Sequence, residues 1–175
     1  SQAQKIVASD RAVYDQFGTC VGISGNYAIS GTYEEDEDAA GGNTMNSAGS
    51  AYIFEYNGAN WVQAQKLVAS DRAIDDRLGV SVSISGNYAI VGAVTEDEDA
   101  AGGNTLTDAG SAYIFERNGA GNWVQVQKIV ASDRAASAEA PASAILIACR
   151  YNDSAYIAWA SGARRSLPCL LANSR

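Results

Sequence analysis

The chain has 175 residues, a length typical of one domain, and 47% of them are hydrophobic, which argues against global disorder. The formal net charge is −8, and an acidic surface repels phosphate, so we expect neither nucleic acid nor an anionic membrane as a partner. The sequence has no His, which removes Ser-His-Asp and Cys-His catalysis. No apolar run is long enough to predict membrane insertion.

The chain opens with a segment, Gln4–Ala12, that returns at residues 65–73 and again at residues 127–135. From residue 4 to residue 59, 40 of 56 positions are identical to those 61 residues further on. A fixed period of this kind predicts a repeat architecture in which neighbouring units bury each other's apolar faces. Cys20, Cys149 and Cys169 form an odd set, and Ser81 replaces Cys20 in the second copy, so we predict no disulfide framework.

Each unit reads as four β-strands joined by turns and one long acidic loop. Gly25-Asn26 is a hairpin signal between the first two strands, because both residues tolerate positive φ. The predicted strands are Phe17–Ser24, Tyr27–Gly31, Ser50–Glu55 and Trp61–Val68, then Leu78–Ser85, Tyr88–Val94, Ser111–Arg117 and Asn122–Val130. We also predict a lone strand over Gln4–Ser9, and no sustained helical period is present.

Four strands every ~60 residues predict an all-β fold of β-propeller blades, each with four antiparallel strands, in preference to a solenoid or sandwich. The predicted organisation is an outer strand of an incomplete blade in residues 1–16, blade 1 in residues 17–70 and blade 2 in residues 78–132. Residues 136–175 form a divergent tail, a possible degenerate partial blade.

The repeated elements resemble the FG-GAP repeat family, the blades of integrin α heads and of many bacterial surface proteins. The resemblance rests on Phe17-Gly18 with Gly31-Thr32, and on Leu78-Gly79 with Gly92-Ala93. It is nearest to the bacterial branch and covers about residues 1–135. It implies that the strand after Phe17-Gly18 lines the ring axis, and that Gly18 and Gly31 allow close backbone approach. It also implies an extracellular or cell-surface location.

The calcium loop of integrin-type blades has no counterpart here, since the corresponding stretch, Ile23–Tyr27, is a short hairpin without carboxylates. The acidic loops, with their carboxylates at residues 34–38 and 96–99, are the other dense set of oxygen donors. A flexible oxygen-rich loop suits Ca²⁺. We expect them mainly to be solvated loops that keep the protein soluble. If a metal is bound, its predicted ligands are Asp36, Asp38, Asn43, Asp97, Asp99 and Asn104.

Two complete blades cannot close a propeller, and open sheet edges recruit other strands. After blade 2, residues 144–148 and 155–159 read as another hairpin, and residues 167–171 as a weak strand. We therefore predict that the tail begins a third blade, which the N-terminal strand of a second copy completes. Such a ring is a homo-oligomer, with a dimer favoured. The alternative is a truncated product with a tail foreign to the fold.

These features favour a non-catalytic binding or scaffold protein that recognises a protein or a glycan. The alternative from another class is a polysaccharide hydrolase that uses the acidic loops. Trp61, Trp123, Tyr52 and Tyr113 occupy equivalent repeat positions, so we interpret them as interblade packing in preference to sugar stacking. Asp10-Arg11 and its later copies are interpreted as a structural turn with a local ion pair.

Overall fold

The computed structural model describes residues 2–135, 147–151 and 154–158, the last two ranges as backbone strands alone. Within these ranges it contains strands, turns and loops but no helix, as the sequence predicts. Two four-stranded antiparallel sheets have the orders β1-β2-β3-β4 and β5-β6-β7-β8, and we call them blade 1 and blade 2. Their strands are β1 Cys20–Ser24, β2 Tyr27–Thr32, β3 Ser50–Tyr56, β4 Trp61–Leu67, β5 Leu78–Ser85, β6 Tyr88–Ala93, β7 Ser111–Arg117 and β8 Trp123–Ile129.

The inner hairpin of each blade turns at the predicted Gly-Asn pair. Of the two residues only the glycine takes positive φ, 56° at Gly25 and 57° at Gly86. The first strand starts at Cys20, three residues later than predicted from Phe17, and Gly18, with φ 91°, lies in the turn before it. Both blades carry the same irregularity in the outer strand pair, between Ile53 and Phe54 and between Ile114 and Phe115.

The main hydrophobic core lies between the two blades and joins residues of both sheets. Ile29, Ile53 and Leu67 of blade 1 pack in one cluster with Tyr113, Phe115 and Trp123 of blade 2. The chain also links the blades directly, because Leu78 N–H donates to Ala48 O at 3.0 Å in a short parallel pairing. The repeat is therefore one packed pair of sheets, consistent with neighbouring propeller blades.

Close backbone approach between the blades is confirmed at Gly31. A Cβ on Gly31 would lie 1.9 Å from Gly79 O, so no side chain fits there. A Cβ on Gly79, the repeat equivalent of Gly18, would lie 2.1 Å from Ser50 O. Gly18 itself has nothing within 4 Å of its Cβ position, so its φ of 91° is the property that requires glycine.

The N-terminal segment Gln4–Ser9 is not a β-strand, contrary to the prediction. It still lies against blade 1, because the Gln4 side chain accepts from Trp61 N–H and donates to Trp61 O, both at 2.8 Å. Gln65 of β4 makes the same two contacts with Trp123 of β8, at 2.8 and 2.7 Å. The segment thus has the place of a preceding outer strand, but in the part of the chain that the structure describes no adjacent strand forms a ladder with it.

A separate two-stranded antiparallel sheet is formed by β9 Ile147–Tyr151 and β10 Ser154–Ala158. A hairpin is therefore present in the tail, as predicted, with its first strand three residues later than the predicted 144–148 and its second strand one residue earlier than the predicted 155–159. The predicted weak strand at residues 167–171 lies outside the described residues. A third, degenerate blade remains a prediction.

Candidate functional site

The acidic loop between β2 and β3 is organised around the carboxylate of Asp38. Its Oδ1 accepts the backbone N–H groups of Ala40 at 2.9 Å and Gly42 at 3.0 Å, and Asn43 donates its amide to Oδ2. These hydrogen bonds, led by that of Gly42, lower the pKa of Asp38. Asp38 and Asn43, both predicted metal ligands, therefore do lie together, and they hold the loop.

The loop between β6 and β7 has the same architecture around Asp99. Its Oδ1 accepts from Ala101 N–H at 2.8 Å and Gly103 N–H at 3.0 Å, and Asn104 donates to Oδ2. The hydrogen bond from Gly103, then that from Asn104, lowers the pKa of Asp99 to about 2. Two loops of different surroundings thus share one internal structure, dictated by their common sequence.

The other two predicted metal ligands have separate roles at the loop base. Asp36 Oδ1 accepts Ser47 N–H at 2.7 Å, and Asp97 Oδ1 accepts Asp108 N–H at 2.7 Å. In residues 2–135, no three or more His, Cys, Asp or Glu side chains are grouped as a metal site requires. Calcium binding by these residues stays a prediction.

The recurrent Asp-Arg pair does not form a local ion pair, contrary to the prediction. Arg72 donates to Asn43 O at 2.7 Å and Asp36 O at 2.5 Å, and so clamps the loop of its own blade. Arg134 does the same in blade 2, with Asp97 O at 3.0 Å and with Asn104 O. In the first two copies the aspartate, Asp10 or Asp71, instead reaches a lysine in the next unit.

A buried lysine joins that aspartate to the acidic loop. Lys66 Nζ lies 2.9 Å from Asp10 Oδ2 and 3.0 Å from Glu35 Oε1, and Tyr52 donates its hydroxyl to Glu35 Oε2 at 2.7 Å. Glu35 has no solvent exposure, and Lys66 is 6% exposed. The expectation of a solvated loop is therefore wrong for Glu35, because the loop turns this carboxylate inward onto a cation.

Blade 2 repeats the cluster across the interface with blade 1. Lys128 Nζ lies 2.8 Å from Asp71 Oδ2, which follows β4, and 2.8 Å from Glu96 Oε1. Ser111 donates its hydroxyl to Glu96, whose exposure is again 0%. In residues 2–135 the Tyr113 hydroxyl has no hydrogen-bond partner, and burial followed by the charge of Glu96 raises its pKa.

Each buried glutamate is paired with a second glutamate two residues later. Burial opposes ionisation of Glu35, but hydrogen bonds with Glu37, Tyr52 and Lys66 outweigh it and lower its pKa to about 2. In blade 2, the hydrogen bond to Glu96, then burial, raises the pKa of Glu98 to about 7. The pKa of Glu96 itself is lowered, and Glu96 is completely buried. Its ion pair with Lys128 of β8 therefore holds the loop to the sheet.

Asp76 provides a test of these electrostatics that depends on pH. It is 5% exposed and accepts Ala73 N–H at 2.6 Å, and burial is the main cause that raises its pKa from 3.8 to about 6. A raised carboxyl pKa contributes stability that is present below pH 3.8 and is lost as the pH rises to about 6. We expect Asp76→Asn to raise the free energy of unfolding at pH 7.5 by about 1–3 kcal/mol and to change it little at pH 3.5.

Urea denaturation at both pH values measures this effect. Asp75→Asn is the matched control, because Asp75 is adjacent to Asp76 in the chain but is exposed. A destabilising Asp76→Asn at pH 7.5 would show that the ionised carboxylate is favourably solvated or paired, in contradiction to the proposed burial.

Two of the repeated aromatic residues, Tyr113 and Trp123, lie in the core between the blades, as predicted. Tyr52 and Trp61 instead pack in the second cluster, which includes Ile6 and Ala8 of the N-terminal segment. Tyr52 and Tyr113 have no exposure, and Trp123 is 2% exposed with an edge contact to Tyr27, 5.7 Å between ring centroids. Trp61 is half-buried beside the N-terminal segment. None of the three buried rings is available for sugar stacking.

Fold and site together define a β-repeat protein whose units are joined by buried lysine–carboxylate clusters. A family model described as FG-GAP repeat matches residues 1–54 and 61–115, more than half of the chain. The chain belongs to the FG-GAP repeat family. Each match starts one segment before its inner hairpin, so the N-terminal segment and β4 are equivalent parts of the repeat. A search of curated proteins found no match.

A membrane-crossing helix, sufficiently long and apolar, does not occur in the part of the chain that the structure describes.

Proposed function

We propose that this chain is a non-catalytic binding or scaffold protein, built from FG-GAP blades, that recognises a protein or a glycan at an extracellular or cell surface. One observation carries the proposal. Both acidic loops end in the same exposed tip, Ala-Ala-Gly-Gly-Asn-Thr, at residues 39–44 and 100–105, and both tips are held by the same internal hydrogen bonds. Two identical, preorganised surfaces on neighbouring blades suit a ligand with repeated features.

Preorganisation is the physical advantage of this arrangement. A loop that is already ordered loses little conformational entropy when a ligand binds. Asp38 fixes the first tip from within, and Arg72, which follows the outer strand of the same blade, clamps it. Two equivalent tips on one molecule also allow avidity for a polymeric or multivalent ligand.

Glycan and protein arrays probed with the full chain test the proposal. The double variant Ala40→Arg/Ala101→Arg places a large side chain on both exposed tips, and we expect it to lose at least about tenfold in apparent affinity. Either single variant should give an intermediate loss, and Thr107→Arg, on an exposed site at the base of the second loop, should bind normally. Binding that is unchanged in the double variant would contradict the role of the tips.

The same arrays, run with calcium and with a chelator, test whether the predicted ligands Asp36, Asp38 and Asn43, and their blade 2 equivalents, take part. Signals that disappear with the chelator would support a calcium-dependent surface. Signals that persist would assign the loops a metal-free role.

A polysaccharide hydrolase is the second candidate function. It is favoured by the Glu96–Glu98 pair, because carboxyl groups with separated pKa values are the usual acid and base of glycoside hydrolysis. The complete burial of Glu96 disfavours it. A reducing-sugar assay on every glycan that binds separates retention from turnover.

The proposal includes self-association, with a homodimer favoured. Blade 1 and blade 2 alone leave sheet faces that a closed propeller covers. Light scattering on the full chain measures this directly.

A further inference from the structure

Blade 1 buries one of its faces against blade 2. Within residues 2–135, the equivalent face of blade 2 is uncovered. In blade 1 the apolar residues of this face are 0–3% exposed, namely Ile29, Ile53, Leu67 and Ala69. Their repeat equivalents in blade 2 are half-buried at Ile90, Ile114 and Ile129, and exposed at Ala131. Tyr88, the equivalent of Tyr27, is 52% exposed. The same apolar surface therefore exists twice in the described residues and is covered once.

Three residue pairs make polar contacts where the N-terminal segment meets blade 1, and the equivalent three pairs do so where blade 1 meets blade 2. Besides the glutamine contacts with the tryptophan backbone, Ser9 N–H donates to Gln63 at 2.9 Å, and Ser70 N–H donates to Gln125 at 2.9 Å. The aspartate that follows each serine pairs with a lysine, Asp10 with Lys66 and Asp71 with Lys128. The third copies of these residues are Gln127, Ser132 and Asp133, and none has such a partner within residues 2–135.

Blade 1, in turn, is covered by a partial substitute for a blade. The N-terminal segment buries Tyr52 and Phe54 with Ile6 and Ala8. It leaves Val21 71% and Ile23 68% exposed, whereas Ile84, the equivalent of Ile23, is 7% exposed under blade 1. The segment thus supplies the outer contacts of a preceding blade and none of the inner ones.

The N-terminal segment that covers blade 1 has the same sequence as part of the uncovered face of blade 2. Residues 4–12 and 127–135 are the same nine residues, Gln-Lys-Ile-Val-Ala-Ser-Asp-Arg-Ala. The groove on blade 1 that holds the first copy therefore has the shape and charge to hold the second. Residues 127–135 begin within β8 and continue beyond it, and β8 is the outer strand of the sheet formed with β5, β6 and β7.

We infer that blade 2 of one copy of this chain binds blade 1 of a second copy, head to tail, with residues 127–135 replacing residues 4–12 of that second copy. This rests on the self-association part of the proposed function and specifies its interface. Gln127 takes over the Trp61 backbone contacts of the second copy, and Asp133 takes over its Lys66. Val21 and Ile23 gain the cover that the N-terminal segment does not provide.

The exchange is a balance between two similar interactions. The N-terminal segment has the advantage of being attached to the groove it fills, which raises its effective concentration. The incoming blade has the advantage of a larger apolar contact. A head-to-tail contact of this kind closes a ring or extends a filament, depending on its rotation.

Two matched double variants of the full chain are expected to act in opposite directions. Gln4→Ala/Asp10→Ala loosens the attached segment and should tighten self-association, while Gln127→Ala/Asp133→Ala, the same chemical change, should weaken it. We expect each shift in the association constant to be about tenfold or more, since two hydrogen bonds and one ion pair are removed. Sedimentation velocity over a concentration series measures the constants, and circular dichroism checks that both variants fold.

A third variant tests the geometry of the contact. Gly92→Ala adds a Cβ that meets the Ser81 hydroxyl within its own chain, whereas at the equivalent Gly31 the Cβ would meet the backbone of the next blade. It should therefore abolish association while the monomer still folds.

Each outcome distinguishes the interface from the wider proposal. Association that is insensitive to Gln127→Ala/Asp133→Ala would overturn the head-to-tail interface. Cover of this face by residues 136–175 of the same chain would give that result. A strictly monomeric particle near 18.2 kDa at micromolar concentration would overturn self-association altogether. Array binding by the loop tips would stand or fall separately.

Discussion

Replacing Lys128 with Met is expected to lower the free energy of unfolding by about 3–5 kcal/mol, because it leaves a buried carboxylate without its cation. Lys128 is 8% exposed, and its partner Glu96 is completely buried. The ammonium group also holds Asp71, which belongs to the preceding unit, so its loss affects the blade interface as well as the loop. Urea denaturation at pH 7 measures the change.

Lys5→Met is the matched control for this substitution. Lys5 occupies the same repeat position as Lys128 but is exposed, so its replacement should change stability by less than about 0.5 kcal/mol. The double variant Lys128→Met/Glu96→Gln should recover much of the loss, because the uncompensated charge is then absent. Equal effects of Lys5→Met and Lys128→Met would refute the buried cluster.

Gly31→Ala is expected to cost about 3 kcal/mol, since the new Cβ would stand 1.9 Å from Gly79 O and two backbones have to separate. The adjacent Cys20 Sγ, 2.4 Å from the same position, adds to the conflict. Thermal unfolding should show the loss as a lower Tm.

Gly92→Ala controls for the intrinsic effect of alanine in this strand. Its Cβ would meet Ser81 Oγ at 2.4 Å, the end of a small side chain that rotates away, so we expect a cost below about 1 kcal/mol in dilute protein. Should Gly31→Ala be tolerated as well as Gly92→Ala, the blades do not approach each other as described.

The strand pattern was readable from the sequence because each blade strand has its own signal. Alternation and β-rich composition mark β3 and β7, and Gly-Asn pairs mark the inner hairpins. The failure at Gln4–Ser9 has a physical cause. This segment has the sequence of an outer strand, but a ladder requires a neighbouring strand, and sequence alone does not show whether one is present.

The site was predicted in part. The resemblance of the two loops was visible, and Asp38 and Asn43 are indeed neighbours. The inward turn of Glu35 was not visible, because a run of five carboxylates looks uniformly solvated until a partner is known. Lys66 and Lys128 were missed for the same reason, although a lysine at a fixed position of each outer strand, followed five residues later by the repeated aspartate, is a signal that recurs with the period.

The central claim is that the repeats are joined by contacts between an aspartate after one outer strand and a lysine in the next. A double-mutant cycle between Asp71 and Lys128 tests it most directly, since these residues lie 57 positions apart and their side chains meet at 2.8 Å across the blade interface. With Asp71→Ala and Lys128→Met as the single variants, we predict a coupling energy of about 1 kcal/mol or more at pH 7. Additive effects, with coupling below about 0.3 kcal/mol, would contradict the account.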